Sequence, residues 1–157
     1  IDNPDEVWTK WEQIKKQEKE AGINGAKPTS TIAVSSQLPA VLWAQKVQEK
    51  ASRVGFDWEN KEEVWQQLES ELAELKAAQS FPSQQEELGD VLFTVINLAR
   101  FYQVDGESAL RQSVKKFLTR FSYIEDQLQI KNKSWQECSL GELNLLWEEA
   151  KQKEKIL

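Results

Sequence analysis

The chain has 157 residues, 39% of them hydrophobic, which is enough apolar material for one folded core. It carries 20 Lys and Arg against 26 Asp and Glu, and the resulting net charge of −6 disfavours nucleic acid as a partner. Histidine is absent and Cys138 is the only cysteine, so the sequence excludes an internal disulfide, a typical zinc site and a histidine-based nucleophile. Because a single cysteine gives no sign of an oxidising compartment, we expect a cytoplasmic protein, and the lack of an apolar run near the ~20 residues that span a bilayer predicts no membrane partner.

Few glycines and prolines, together with apolar residues at helical spacing, predict an all-α fold. The first helix is predicted from about Pro4 to Ala21, and residues 22–36 have the composition of a loop. A second helix is predicted from about Leu38 to Val54. These patterns divide the chain into an N-terminal helix with a linker, residues 1–36, and a main domain, residues 37–157.

Three later helices are predicted from capping boxes, in which a cap residue is followed three positions later by glutamate. The pairs are Asn60/Glu63, Ser83/Glu86 and Ser139/Glu142. A further helix between the last two opens near Asp105 and carries apolar residues at helical spacing.

The third predicted helix has a charged residue within its apolar stripe. The spacing that links Val64, Leu68 and Leu75 passes through Glu71. Glu74 lies one turn further on, so both carboxylates are expected to point into one cleft.

The fourth predicted helix repeats this arrangement. Glu87 and Asp90 precede a segment, residues 91–99, that is apolar nearly all round and is expected to be the central buried helix. Asn97 returns to nearly the same direction as Asp90 and is therefore a further candidate to bind substrate.

Four carboxylates that converge from two helices would repel one another unless a cation joined them. Mg²⁺ prefers oxygen ligands and is usually shared between protein carboxylates and substrate phosphates, so the pattern favours a phosphate-ester substrate. Each E-x-x-E or E-x-x-D pair by itself is common on solvated helix faces. Two pairs on adjacent helices favour a metal site.

Basic and aromatic residues supply candidates for substrate binding. Lys116 and Arg120 are spaced i, i+4 and are candidates to bind the terminal phosphates, and Lys46 and Lys50 form a similar pair. Such pairs are more often solvated faces. Trp147 is the candidate to stack on a base, although most tryptophans are core residues.

Several segments, taken in order, resemble the MazG nucleoside triphosphate pyrophosphohydrolases. They are LPAVLWAQKVQEKASRVGFDW (38–58), ESELAEL (69–75), EELGDVLFTVINLARF (86–101), KKFLTRFSYIE (115–125) and LNLLWEEAK (143–151). Residues 7–19 resemble the segment that joins the domains of two-domain members. We therefore expect the chain to correspond to the C-terminal catalytic half, which fits the absence of an initiator methionine.

The family motif, E-x-x-E followed after 12 to 28 residues by E-x-x-D, is met by Glu71, Glu74, Glu87 and Asp90. The resemblance implies that these four bind Mg²⁺, with Mn²⁺ as a candidate substitute. It also implies phosphate binding by Lys116 and Arg120 and a substrate contact by Trp147. The implied fold is a four-helix-bundle pyrophosphohydrolase with extra flanking helices, usually a homodimer.

The resemblance implies hydrolysis of nucleoside triphosphates to monophosphate and pyrophosphate, with broad tolerance of the base and a house-cleaning role. The chain departs from the family pattern at Gln67, Ser70, Phe101 and Val114. Two alternatives stay open beside the broad enzyme. One is a weakly active or inactive module that binds nucleotide or a partner, and the other is a hydrolase of the same fold with a narrower substrate such as dUTP or an alarmone.

Overall fold

The computed structural model describes residue 13 and residues 30–156, and this part of the chain is helical without a β-strand. The helices are α1 (Ala40–Arg53), α2 (Lys61–Ala77), α3 (Phe81–Phe101), α4 (Gly106–Ile130), a 3₁₀ helix (Trp135–Glu137) and α5 (Leu140–Glu154). The prediction of an all-α fold is confirmed. The helix predicted from Pro4 to Ala21 lies outside the described residues, apart from Gln13. None of the described helices combines the length and apolarity that a bilayer crossing requires.

Two of the predicted cap residues are confirmed, but their glutamates bond to Glu59 and Lys133 instead of completing the predicted capping boxes. The Asn60 side chain accepts a hydrogen bond from the Glu63 amide at 2.9 Å, and the Glu63 carboxylate accepts one from the Glu59 amide at 3.0 Å. At α5, Ser139 Oγ accepts from the Glu142 amide at 3.1 Å. These bonds satisfy backbone donors that a helix start leaves unpaired, and so they fix where α2 and α5 begin.

The cap predicted at Ser83 is wrong, because α3 begins three residues earlier. Ser80 is the cap residue, and its Oγ accepts from the Ser83 amide at 3.3 Å. Pro82 lies in the first turn, where its missing N–H costs nothing and its fixed φ suits the helix. Proline similarly sets the start of α1, which follows Pro39 rather than beginning at Leu38.

The chain forms two compact units, of which the first ends at Glu107. Its core lies between α2 and α3, where Val64, Leu68, Val91 and Leu98 are buried together. Burial of such side chains contributes about 1.5–3 kcal/mol each. This contact places the two helices that carry the acidic motifs side by side.

Polar contacts join α1 to the rest of this unit. Gln48 is buried, and its side-chain nitrogen donates to the Phe93 carbonyl at 2.9 Å. The amide of Gly106 donates to Gln45 Oε1 at 3.2 Å, and a Cβ at this glycine would lie 3.3 Å from Val41 Cγ1. Glycine therefore permits the close approach between α1 and the start of α4.

Helix α3 is not buried on all sides, which differs from the expected central buried helix. Leu88, Leu92 and Val95 are 49%, 59% and 42% exposed, and they follow one another at i, i+4 and i+7. The helix has two apolar faces, and only the face that includes Val91 and Leu98 packs in the core of the first unit. We call Leu88, Leu92 and Val95 the α3 stripe.

The second unit begins at Ser108 and contains most of α4, the 3₁₀ helix and α5. Ile124 and Leu128 from α4 are buried with Leu146 from α5. Trp135 of the 3₁₀ helix packs against this cluster and stacks on Phe121, with ring centroids 4.7 Å apart. The sequence analysis did not predict this short helix.

Left-handed residues follow the ends of α3 and α4. Gln103 has a φ of 58° and Asn132 a φ of 53°. After Gln103 the chain turns back, and the Val104 amide donates to the Ala99 carbonyl at 2.9 Å. This arrangement closes the last turn of a helix, and glycine is the residue most often found in it.

Candidate metal centre

Three glutamates from two adjacent helices bring carboxylate oxygens together. Glu71 and Glu74 lie one turn apart on α2, and Glu87 lies in the second turn of α3. One oxygen from each side chain falls in a group whose members all lie within 4.8 Å of one another. The convergence that the sequence predicted from the two motifs is therefore present for three of the four acidic residues.

Two of these carboxylates each have an oxygen with no partner. Glu71 Oε2 and Glu87 Oε2 are both buried, and neither has a hydrogen-bond partner among the described residues. A buried acceptor without a donor costs free energy, and the cost is larger for a charged group. The arrangement is therefore unfavourable unless a proton or a cation is shared between the two helices.

The pKa of Glu71 also reflects the cost of a buried carboxylate beside other carboxylates. Burial raises the pKa of Glu71 above its usual value, and the neighbouring carboxylates of Glu74 and Asp90 raise it further. A hydrogen bond from Gln67 acts in the opposite direction. Asp90 is exposed and is not one of the three converging glutamates, but its charge acts on Glu71.

The residues present fit a hard divalent cation. All the ligand atoms are carboxylate oxygens, which Mg²⁺ and Mn²⁺ accept, and none is nitrogen or sulfur. A cation at this place would give the unpaired oxygens of Glu71 and Glu87 a partner. It would also offset the repulsion that raises the pKa of Glu71.

Asn97 lies further along α3 in a buried polar environment. Its Oδ1 accepts a hydrogen bond from Arg100 Nη2 at 3.1 Å. The role of Asn97 in substrate binding stays a prediction.

Lys46 and Lys50 on α1 both have partners close to them. Lys46 Nζ forms an ion pair with Glu49 at 3.3 Å, and Lys50 Nζ donates to the Ala33 carbonyl at 2.7 Å. The first contact is an exposed pair within one helix, and the second holds the segment before α1. Substrate binding by these lysines stays a prediction as well.

Lys116, Arg120 and Trp147 belong to the second unit. Arg120 donates two hydrogen bonds to Glu154, at 2.9 Å and 2.8 Å, and its guanidinium lies 5.1 Å from the centre of the Trp147 ring. Lys116, one turn before Arg120 on α4, is exposed. The predicted roles of all three in phosphate and base binding remain predictions.

The structure adds Gln67 to the functional candidates. In the sequence, Gln67 is noted only as a departure from the family pattern. In the structure, its side chain contacts Glu71 directly. The spacing of Gln67 and Glu71, i and i+4 on one helix, is a signal that predicts such a contact.

The fold and the acidic cluster define a class of protein, an all-helical domain with a carboxylate centre suited to a divalent cation. Residues 59–124, which contain all three converging glutamates, match the MazG nucleotide pyrophosphohydrolase domain. The match assigns this segment, residues 59–124, to the MazG nucleotide pyrophosphohydrolase domain.

Two curated relatives agree with this assignment. The chain is 41% identical over 151 residues to the nucleoside triphosphate pyrophosphohydrolase/pyrophosphatase MazG of Thermotoga maritima, covering 96% of this chain and 57% of that protein. It is 32% identical over 158 residues to a nucleoside triphosphate pyrophosphohydrolase of Escherichia coli, covering 98% and 59%. The chain thus spans somewhat more than half the length of the curated relatives it matches. A shorter similarity, 42% identity over 69 residues, links it to the uncharacterized protein YabN of Bacillus subtilis.

Proposed function

We propose that this protein is a Mg²⁺-dependent nucleoside triphosphate pyrophosphohydrolase, which converts a nucleoside triphosphate and water to a nucleoside monophosphate and pyrophosphate. The observation that supports it most strongly is the pair of buried, unpaired oxygens on Glu71 and Glu87 within one acidic cluster. The match of residues 59–124 to the MazG domain and the names of the relatives support the choice of reaction.

The acidic residues have distinct tasks in this proposal. Glu71, Glu74 and Glu87 hold the cation, and Asp90 adds negative charge beside them. A cation held there would polarise the phosphate and increase the acidity of the attacking water. The Glu71 and Glu74 side chains each place a carboxylate oxygen in the acidic cluster, within 4.8 Å of each other. We assign to this pair the proton that the attacking water releases.

The relatives are named for nucleoside triphosphates in general, which supports activity on several of them. Broad tolerance of this kind fits a house-cleaning role in the cytoplasm. A panel of nucleoside triphosphates and deoxynucleoside triphosphates, dUTP included, separates this role from that of an enzyme with a narrow substrate.

The same panel tests the reaction. Pyrophosphate release is measured with and without Mg²⁺ for the unaltered protein and for Glu71→Gln and Glu87→Gln. Even outer-sphere partners of a metal contribute 10- to 100-fold, so loss of a ligand is expected to lower the rate by more than about 100-fold. Glu69→Gln serves as the control, since Glu69 is exposed on the same helix and is not one of the converging glutamates.

A folded, unaltered protein that releases no pyrophosphate from any nucleotide would leave a binding module as the better description. Phosphate release without pyrophosphate would contradict cleavage between the α and β phosphates. Equal activity of all the variants would show that the acidic cluster is not the reaction site.

We also propose that the protein forms a homodimer. The α3 stripe presents three apolar side chains to solvent on a helix that otherwise supplies core residues. Exposed apolar patches of this kind mark interaction surfaces, and a second copy of the same chain is the partner that the family resemblance favours.

A further inference from the structure

The side-chain amide of Gln67 makes a short hydrogen bond to Glu71. Gln67 Nε2 lies 2.6 Å from Glu71 Oε1, and the two residues are one turn apart on α2. A carboxylate has no proton to donate, so the nitrogen end of the amide must face it. Gln67 is half-buried, so this bond has limited competition from water.

The two oxygens of Glu71 therefore have different environments. Oε1 is occupied by Gln67, whereas Oε2 is buried with no hydrogen-bond partner among the described residues. A glutamate with a free side chain can present either oxygen by rotating its carboxyl group. The bond from Gln67 selects one orientation and leaves Oε2 available.

Gln67 achieves this without adding charge. A lysine at this position would also donate a hydrogen bond, but its positive charge would weaken the attraction between the acidic cluster and a divalent cation. The neutral amide leaves the charge of the three glutamates undiminished.

We propose that Gln67 is a positioning residue that orients Glu71, so that Oε2 is presented to a divalent cation, and thereby strengthens cation binding. The inference rests on the proposed metal-dependent function and extends it to a residue outside the acidic motif. Outer-sphere hydrogen bonds to ligating carboxylates commonly have this effect.

The test is isothermal titration calorimetry, in which Mn²⁺ is titrated into the protein without nucleotide and the Kd is measured. Gln67→Met keeps the length of the side chain and removes the donor. It is expected to weaken Mn²⁺ binding and so to raise the Kd by about 10-fold. Gln66→Met is the matched control, because Gln66 is the exposed neighbour on the same helix, and its Kd should stay within about twofold of the unaltered protein.

A second variant guards against a folding defect. Gln67→Asn retains the amide but is one methylene shorter, so it cannot reach Glu71 Oε1 and should weaken Mn²⁺ binding like Gln67→Met. Thermal melting in EDTA shows whether either variant loses stability in the metal-free state. A structural role alone would lower the melting temperature and leave the Kd unchanged.

The outcomes separate the two proposals. An unaltered protein that binds Mn²⁺, with both Gln67 variants weakened and the Gln66 control unchanged, supports the positioning role. Equal Kd values for the unaltered protein and a folded Gln67 variant would overturn that role and leave the metal site intact. No Mn²⁺ binding by the unaltered protein would overturn the metal site itself, and the inference with it.

Discussion

The guanidinium of Arg100 donates two hydrogen bonds to the carboxylate of Asp57, from Nη2 to Oδ1 at 2.7 Å and from Nη1 to Oδ2 at 3.2 Å. It also donates to Gln48 at 3.3 Å and to Asn97 at 3.1 Å. The Arg100 side chain is only 11% exposed. The Arg100 side chain thus links α3 to α1 and to the segment between α1 and α2.

Replacement of Arg100 by lysine is expected to destabilise the protein by about 3 kcal/mol. Lysine cannot form the two parallel bonds to Asp57, and Gln48 and the buried Asn97 would also lose their donor. Urea denaturation measures the effect. Lys46→Gln, which removes the exposed pair with Glu49, should change the free energy of unfolding by less than about 0.5 kcal/mol, and an equal effect of both changes would contradict this account.

Glu71→Gln is expected to stabilise the metal-free protein at neutral pH while it weakens cation binding. The folded-state pKa of Glu71 is raised, so its contribution to stability is fully present below the ordinary glutamate pKa and is lost as the pH rises through the raised value. At neutral pH the buried charge is therefore a cost, and a neutral amide removes it. In EDTA at pH 7 we expect the melting temperature to rise by about 2 °C, which corresponds to roughly 1 kcal/mol in a domain of this size.

Two comparisons test the sign of this effect. The difference between the unaltered protein and Glu71→Gln should shrink as the pH falls through the raised pKa of Glu71. Addition of Mg²⁺ should raise the melting temperature of the unaltered protein more than that of the variant. A lower melting temperature for Glu71→Gln in EDTA at pH 7, with Glu69→Gln unchanged, would show that the carboxylate stabilises the metal-free protein.

Glu154→Gln tests the predicted phosphate-binding role of Arg120. The Glu154 carboxylate holds the guanidinium through two bonds and raises the pKa of Arg120. If Arg120 binds phosphate, Glu154 competes with the substrate, and its neutralisation should lower the KM for ATP by about threefold. Arg120→Met should raise the KM. Glu149→Gln, which alters a contact with Tyr123, is the control, and no change in KM for either Arg120→Met or Glu154→Gln would exclude the role.

Leu92→Glu tests the proposed homodimer. Leu92 is the most exposed member of the α3 stripe, and a charge there would be buried at an interface between two copies. Sedimentation equilibrium should show a dimer for the unaltered protein and a monomer for the variant. Leu140→Glu changes an exposed leucine at the start of α5 and should leave the dimer intact. An unaltered protein that sediments as a monomer would reject the proposal.

Local patterns predicted much of the fold. The caps at Asn60 and Ser139 depend on residues within one turn, and both were predicted correctly. The cap at Ser83 was wrong because Ser80 is also a capping residue, and Pro82 two positions after Ser80 is the signal that favours the earlier start.

The candidate site was predicted in part. The apolar stripe around Glu71 placed this carboxylate on the buried side of its helix, and the structure has its Oε2 buried. The sequence could not show which oxygens lack partners, since that depends on how two helices pack. It also could not predict the bonds from Arg100 to Asp57, which join residues 43 positions apart.

The left-handed residues that follow α3 and α4 bear on how the stability of the protein could be raised. A side chain at a positive φ carries a conformational penalty of about 1–2 kcal/mol that glycine avoids. Replacing Gln103 by glycine would relieve that strain at a position outside the acidic cluster, whereas Asn132 needs no replacement because asparagine tolerates this conformation. A more stable version of this protein is therefore within reach of one substitution that leaves the acidic residues unchanged.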